Sequence, residues 1–245
     1  KSPITAELIA RGTVGLGQIS MDGDNIYWTE LRPSEGGRTA LVRRSVNGEI
    51  TDMLPKVMSV RSRVHEYGGG GFVVDDGDVW FCNDADQRLY SMPRFGKLTA
   101  LTPEGSFRYA DMVVDRRKSR LIAVCEEHNA DNAEPVNRLI SIGFDKTITK
   151  LVSGADFYAS PRLSPDGRNL AWLSWSHPNM PWDETELWVA KLAENGELFD
   201  RQRVAGGDAV SIFQPAWSPE GVLYFVSDQT GWWNIYKLDS ENGKI

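Results

Sequence analysis

A strand-like tetrad returns five times along this chain: Leu41-Val42-Arg43-Arg44, Arg88-Leu89-Tyr90-Ser91, Arg138-Leu139-Ile140-Ser141, Glu186-Leu187-Trp188-Val189 and Asn234-Ile235-Tyr236-Lys237. With Val42, Leu89, Leu139, Leu187 and Ile235 taken as equivalents, the steps are 47, 50, 48 and 48 residues. A fixed period of this size marks one supersecondary unit repeated, and it constrains the fold more than any other feature. Each tetrad is preceded by a more apolar run: Ile26-Tyr27-Trp28, Val79-Trp80-Phe81, Leu121-Ile122-Ala123, Leu170-Ala171-Trp172 and Val222-Leu223-Tyr224-Phe225. Ahead of those runs stand turns such as Asp75-Asp76-Gly77-Asp78, Ser164-Pro165-Asp166-Gly167 and Ser218-Pro219-Glu220-Gly221. Pro presets the first turn position and Gly accepts a positive φ, so these turns have a mechanism.

A first strand precedes the turn, as in Gly71-Phe72-Val73-Val74, and a fourth follows the tetrad, as in Leu98-Thr99-Ala100-Leu101 and Ile148-Thr149-Lys150-Leu151. Four short strands in about 40–50 residues is the pattern of a propeller blade. The expected fold is therefore all-β, a β-propeller with about five four-stranded blades visible. The fifth stops before its last strand, so an incomplete or open propeller is expected, with 1–16 as a lead-in and 17–245 as blades. Only Pro3 to Ala10 has the composition of a short helix. The apolar runs elsewhere are too short and too rich in Val, Ile, Trp and Tyr for helices. Most of the nine tryptophans are read as wedges between sheets, since an aromatic can bury roughly 150–250 Å².

A net charge of -7 argues against nucleic acid as a partner, because that affinity rests on clustered Lys and Arg. Arg43-Arg44 and Arg116-Arg117-Lys118 are short and read as solvated strand ends and turns. No run approaches the roughly 20 apolar residues of a membrane span, so no membrane partner is expected. Cys82 and Cys125 lie in apolar strands and read as buried thiols of a reducing compartment, which makes the cytoplasm the expected location.

The three histidines, His65, His128 and His177, form no metal signature, and neither metal nor cofactor is expected. His128 and His177 read as surface or structural residues. Arg63-Val64-His65-Glu66-Tyr67 differs, because it crowds against the glycines Gly68 to Gly71. Those glycines lack the Lys-Ser/Thr of a phosphate loop and suggest a sharp bend or a close approach. Two readings stay open. Either the charges cap a strand and pair with one another, or Arg63, His65, Glu66 and Tyr67 touch a peptide substrate. In the second case Glu66 would hold an amine, and Arg63 or Arg61 a carboxylate. Glu126-Glu127 raises the same thought, but the polar stretch that follows favours solvated hairpin acids. Ser174 to Glu184, with Trp175, His177, Pro178, Pro181 and Trp182, reads as a contact hairpin.

Three stretches taken together resemble the S9, or prolyl oligopeptidase, family, in its acylaminoacyl-peptidase or dipeptidyl-aminopeptidase-like branch. They are Lys1-Ser2-Pro3-Ile4-Thr5-Ala6-Glu7-Leu8-Ile9, Arg63 to Gly70, and Ser218-Pro219-Glu220-Gly221 followed by Ser227-Asp228-Gln229-Thr230-Gly231-Trp232-Trp233-Asn234-Ile235-Tyr236. The resemblance implies a propeller followed by an α/β-hydrolase domain carrying a Ser-Asp-His triad. No Gly-x-Ser-x-Gly occurs in this chain, so the nucleophile elbow is absent from it. The expectation is a fragment lacking its hydrolase domain, non-catalytic alone, that gates or filters peptide substrate. Self-association through the open blade edge is also expected. The alternative is a free-standing propeller that scaffolds other proteins. A propeller glycosidase fits less well, since the acids Asp22, Asp76, Asp115, Asp166 and Glu220 recur in every blade as turn residues should.

Overall fold

The structure, a computed structural model, describes residues 3–5, 12–128 and 134–238. Five antiparallel sheets follow one another along the chain. The first contains β1 (Gly15–Asp22), β2 (Asn25–Arg32), β3 (Arg38–Arg44) and β4 (Ile50–Asp52), and the second β5 (Phe72–Asp75), β6 (Asp78–Cys82), β7 (Leu89–Met92) and β8 (Thr99–Ala100). The third contains β9 (Phe107–Asp115), β10 (Arg120–Glu127), β11 (Val136–Gly143) and β12 (Ile148–Val152), and the fourth β13 (Phe157–Leu163), β14 (Asn169–Trp175), β15 (Glu186–Leu192) and β16 (Leu198–Gly206). The fifth has three described strands, β17 (Ile212–Trp217), β18 (Leu223–Ser227) and β19 (Asn234–Lys237). In every sheet the strands lie in chain order, which is blade topology, and the fold class is the β-propeller. The helix expected toward Ala10 lies mostly outside the described residues, and Pro3 to Thr5 is not helical.

The chain forms two compact units, Lys1–Ala110 and Asp111–Ile245. In the first, Tyr27 and Leu41 of blade one pack against Phe72, Val74, Val79 and Phe81 of blade two, with Leu54 and Val60 between. In the second, Leu173 and Leu187 of blade four meet Ile212, Leu223 and Phe225 of blade five. The alternation of a strand's two faces accounts for both cores. Trp80, Trp172 and Trp175 are buried as expected of wedges, and Trp217 of blade five donates its indole N–H to the Arg162 carbonyl of blade four at 3.0 Å. Trp182, Trp232 and Trp233 stand exposed instead.

The turn chemistry is visible in detail at Ser164-Pro165-Asp166-Gly167. Ser164 Oγ donates to Asp166 Oδ1 at 2.6 Å and accepts from the Asn169 amide at 2.9 Å, while Gly167 sits at φ 65°. Both cysteines are buried and unoxidised, and desolvation pushes each thiol up to about 12. Neither is a nucleophile at neutral pH.

One edge of blade one carries an ion network. Arg32 donates to Glu30 at 2.7 Å, Asp52 at 2.7 Å and Glu35 at 3.1 Å, and Arg38 donates to Glu35 at 2.6 Å and Asp52 at 2.9 Å. The hydrogen bond from Arg32 holds the Asp52 carboxyl below its ordinary value, and that from Arg38 does the same for Glu35. A carboxyl depressed in the folded state stabilises the fold above its unfolded pKa of about 4, and that stabilisation is lost as pH falls through the folded value. The melting temperature should therefore drop as pH falls below about 4, and less steeply in Asp52→Asn. Calorimetry across that range checks this, and identical acid slopes in the two proteins would contradict it.

Candidate functional site

The loop between β4 and β5 carries the residues singled out in the sequence. Its anchor is Val64, whose side chain is buried and whose amide donates to Ser62 Oγ at 3.1 Å. A tight turn follows, with Glu66 N–H donating to the Arg63 carbonyl at 3.0 Å and Gly68 N–H to the Val64 carbonyl at 2.8 Å. His65 at φ 55°, Glu66 at φ 65° and Gly68 at φ 94° all occupy the left-handed region. For a non-glycine residue that conformation costs about 1–2 kcal/mol, so the surroundings must impose it. Gly68 has a second reason to lack a side chain, because a Cβ there would lie 2.8 Å from the Ser62 carbonyl oxygen.

Two neighbouring elements hold the turn. From the β6–β7 connection, Gln87 Oε1 accepts the Arg63 amide at 2.8 Å, and Asp84 accepts the Arg63 guanidinium through Oδ1 and its carbonyl, each at 3.1 Å. From β9, Arg108 Nη1 donates to Glu66 Oε1 at 2.6 Å and to the Arg63 carbonyl at 2.8 Å. Arg63 and Glu66 thus pair with Asp84 and Arg108, not with one another as the capping reading expects. Sequence adjacency misleads here because the left-handed turn sends the two side chains to different partners. Glu66 is four-fifths exposed along its side chain, at 81%, and Arg63 is half exposed. The exposed Tyr67 ring tilts against His65 with centroids 5.6 Å apart. The loop therefore presents a carboxylate, a guanidinium and two aromatic rings on a stiffened backbone. Such a surface can bind the charged ends and side chains of a peptide.

Asp84 and Arg108 escaped the sequence reading. Arg108 had a faint signal, as a charge between Phe107 and Tyr109 at the opening of a first strand.

The expectation for Glu126-Glu127 is corrected. Glu126 is buried with Oε2 2.8 Å from His128 Nε2, and Glu127 is ion-paired to Arg138 across the β10–β11 register. Neither is a loose hairpin acid. In the hairpin from Ser174 to Glu184, Trp175 stacks on Phe157 at 5.3 Å and His177 meets the same ring edge-on at 4.9 Å, while Trp182 is exposed. Among the described residues no group of His, Cys, Asp and Glu side chains is arranged to hold a metal, and no helix is long and apolar enough to cross a membrane.

No family model matches the chain. A solved puromycin hydrolase superposes with a TM-score of 0.92 at 33% identity, over 99% of this chain and 40% of that one. A puromycin-hydrolyzing peptidase from Mycobacterium tuberculosis does so at 0.87 and 38% identity, over 97% and 39%. Over nearly its whole length the chain is similar to the propeller part of S9, prolyl-oligopeptidase-type proteins. Dipeptidyl-peptidase 5 of Porphyromonas gingivalis is 27% identical to the chain over 107 residues, which are 43% of the chain and 15% of that protein. Prolyl oligopeptidase B from Galerina marginata shares the fold at 12% identity with a TM-score of 0.64. The chain thus spans about two fifths of the length of these two solved relatives, the puromycin hydrolase and the puromycin-hydrolyzing peptidase.

Proposed function

We propose that this S9 propeller is the non-catalytic, substrate-filtering part of a serine peptidase of the acylaminoacyl-peptidase or dipeptidyl-aminopeptidase-like branch. Peptide is its ligand, and an α/β-hydrolase domain supplies the chemistry. The observation that carries this reading is the likeness to a puromycin hydrolase and a puromycin-hydrolyzing peptidase over 97–99% of the chain at 33–38% identity. The stiffened loop agrees with it. In a propeller the strand that opens each blade lies nearest the axis, so the loop leading into β5 belongs at a channel mouth. There Glu66 meets the amino end of a peptide, Arg63 a carboxylate, and His65 and Tyr67 the side chains beside them. The buried thiols of Cys82 and Cys125 support a reducing compartment such as the cytoplasm, and the net charge of -7 supports a protein that does not bind nucleic acid.

The test is activity-based labelling. The chain of residues 1–245 should take up no serine-directed fluorophosphonate and turn over no aminoacyl or acyl-aminoacyl chromogenic peptide, because it lacks the strained elbow that exposes a nucleophile. Labelling at any of its serines would refute the non-catalytic assignment.

Self-association belongs to the same proposal, with a second copy of this chain as the occupant. On blade five Phe213, Val226 and Ile235 form one cross-strand row, on the face opposite Phe225 and Tyr236. Phe213 is 57% exposed and Ile235 76% exposed. On blade one Ile19 and Met21 are likewise exposed beside Trp28 and Ile26. Apolar rows of this kind on sheet faces recruit partners. Sedimentation of the chain should show association that rises with concentration and weakens in Ile235→Lys. A monomer at the highest attainable concentration would contradict it.

A further inference from the structure

A cleft of about 320 Å³ opens among the turns of blades three and four, wholly within the second unit. Four cationic side chains line it, Arg117, Lys118, Arg168 and Lys191, against one acidic residue, Glu194. Their charges are matched unequally. Lys191 is paired with Asp200 at 2.7 Å. Arg168 reaches Asp166 only at 4.0 Å and is three-quarters exposed. Arg117 Nη1 and Lys118 Nζ donate to backbone carbonyls, those of Asp166 and Glu194, each at 2.6 Å. A carbonyl fixes the direction of a cation without cancelling its charge. Both groups are therefore held in place at the cleft wall with further N–H donors on each, and Arg117 shares the Asp166 carboxylate with Arg168 as its nearest opposite charge.

The turn geometry is built around this. Gly167 lies at φ 65°, and a Cβ on it would stand 2.8 Å from Arg117 Cδ, so only glycine lets that arginine lie across the turn. One wall is apolar, made by Leu192 and the half-exposed ring of Phe199. In a chain of net charge -7 this is a local inversion of sign.

We propose that this cleft binds an organic phosphate, its dianion held by Arg117, Lys118 and Arg168 and its body laid against Phe199 and Leu192. Guanidinium and ammonium donors make charge-assisted hydrogen bonds that suit phosphate oxygens. A cleft of 320 Å³ sits at the small end of ligand sites, which run about 300–1,000 Å³, and so takes a molecule the size of a mononucleotide. A polymeric nucleic acid needs a longer basic stripe than these few turns supply. The site lies away from the loop at Arg63 to Tyr67 in the sequence and needs no part of the peptidase reading.

Calorimetric titration of the chain with AMP and with inorganic phosphate tests it. AMP should saturate one site, bind several-fold more tightly than phosphate, and weaken as salt is raised. Arg168→Gln should weaken both ligands by roughly five- to tenfold with an unchanged melting temperature, since its ion pair to Asp166 is long and exposed. Phe199→Ser should weaken AMP alone, and Arg94→Gln, on blade two, should change neither. Failure of AMP to saturate would overturn the proposal. So would equal affinity for the two ligands, indifference to Arg168→Gln, or an equal loss in Arg94→Gln.

Discussion

Gly206→Ala is expected to destabilise the protein by about 2–4 kcal/mol, a fall in melting temperature of roughly 5–15 °C. Two causes add. Gly206 sits at φ +84°, where a side chain costs about 1–2 kcal/mol. Its Cβ would also fall 1.9 Å from the Thr185 carbonyl oxygen, far inside contact distance. That oxygen cannot retreat cheaply. It accepts the Gly207 amide at 3.1 Å, while the Thr185 amide donates to Val210 at 2.9 Å and its hydroxyl to the Pro181 carbonyl at 2.5 Å. Ser211 Oγ donates to the same Pro181 carbonyl at 2.7 Å, and Ala205 and Ile212 beside the glycine belong to the core of blades four and five. A shift at Thr185 would break hydrogen bonds worth about 1 kcal/mol each. Gly221→Ala separates the two causes, because Gly221 shares a positive φ of +82° yet has nothing within 4 Å of where a Cβ would lie. It should lose only about 1–2 kcal/mol. Equal losses in the two variants, measured by denaturant melts, would contradict the steric account.

The blades were legible in the sequence because local chemistry repeats with the period. Ser164-Pro165-Asp166-Gly167 forms its turn from its own side chains, and the apolar second strands of blades two, three and four are buried nearly throughout, as Leu121 to Cys125 show. β16 was harder to see. Its residues Leu198 to Arg203 are mostly polar and exposed, and it is fastened partly by ion pairs, Asp200 to Lys191 and Arg203 to Glu186, that only the folded sheet brings together. The candidate site divides in the same way. The glycines announced a constrained loop, whereas Asp84 and Arg108 lie 21 and 42 residues from their partners in that loop. Glu126 was misjudged because the polar stretch after it suggests solvent, while its own position on β10 is buried. Burial of a charge is decided by which strand covers it, and a single chain read in one dimension does not show that.

In the full-length peptidase proposed above, replacing Glu66 by Gln is expected to lower kcat/KM on short free-amino peptides about five- to 150-fold, equivalent to roughly 1–3 kcal/mol for a charge-assisted contact that is partly desolvated by substrate. The side chain is open to solvent and its ion pair to Arg108 is at the surface, so its removal should change stability little. Arg63→Met removes the cation that faces Asp84 and should reduce kcat/KM as well, with a larger loss of stability because the guanidinium also ties the loop to the β6–β7 connection. Filtering by the propeller is tested most directly in Glu66→Gln, by measuring melting temperature and kcat/KM per folded molecule on the same preparations. A melting temperature within about 2 °C of the parent, together with a fall of fivefold or more in kcat/KM, is the result expected. A melting temperature lower by several degrees with kcat/KM unchanged would make the loop purely structural and contradict its role in substrate handling.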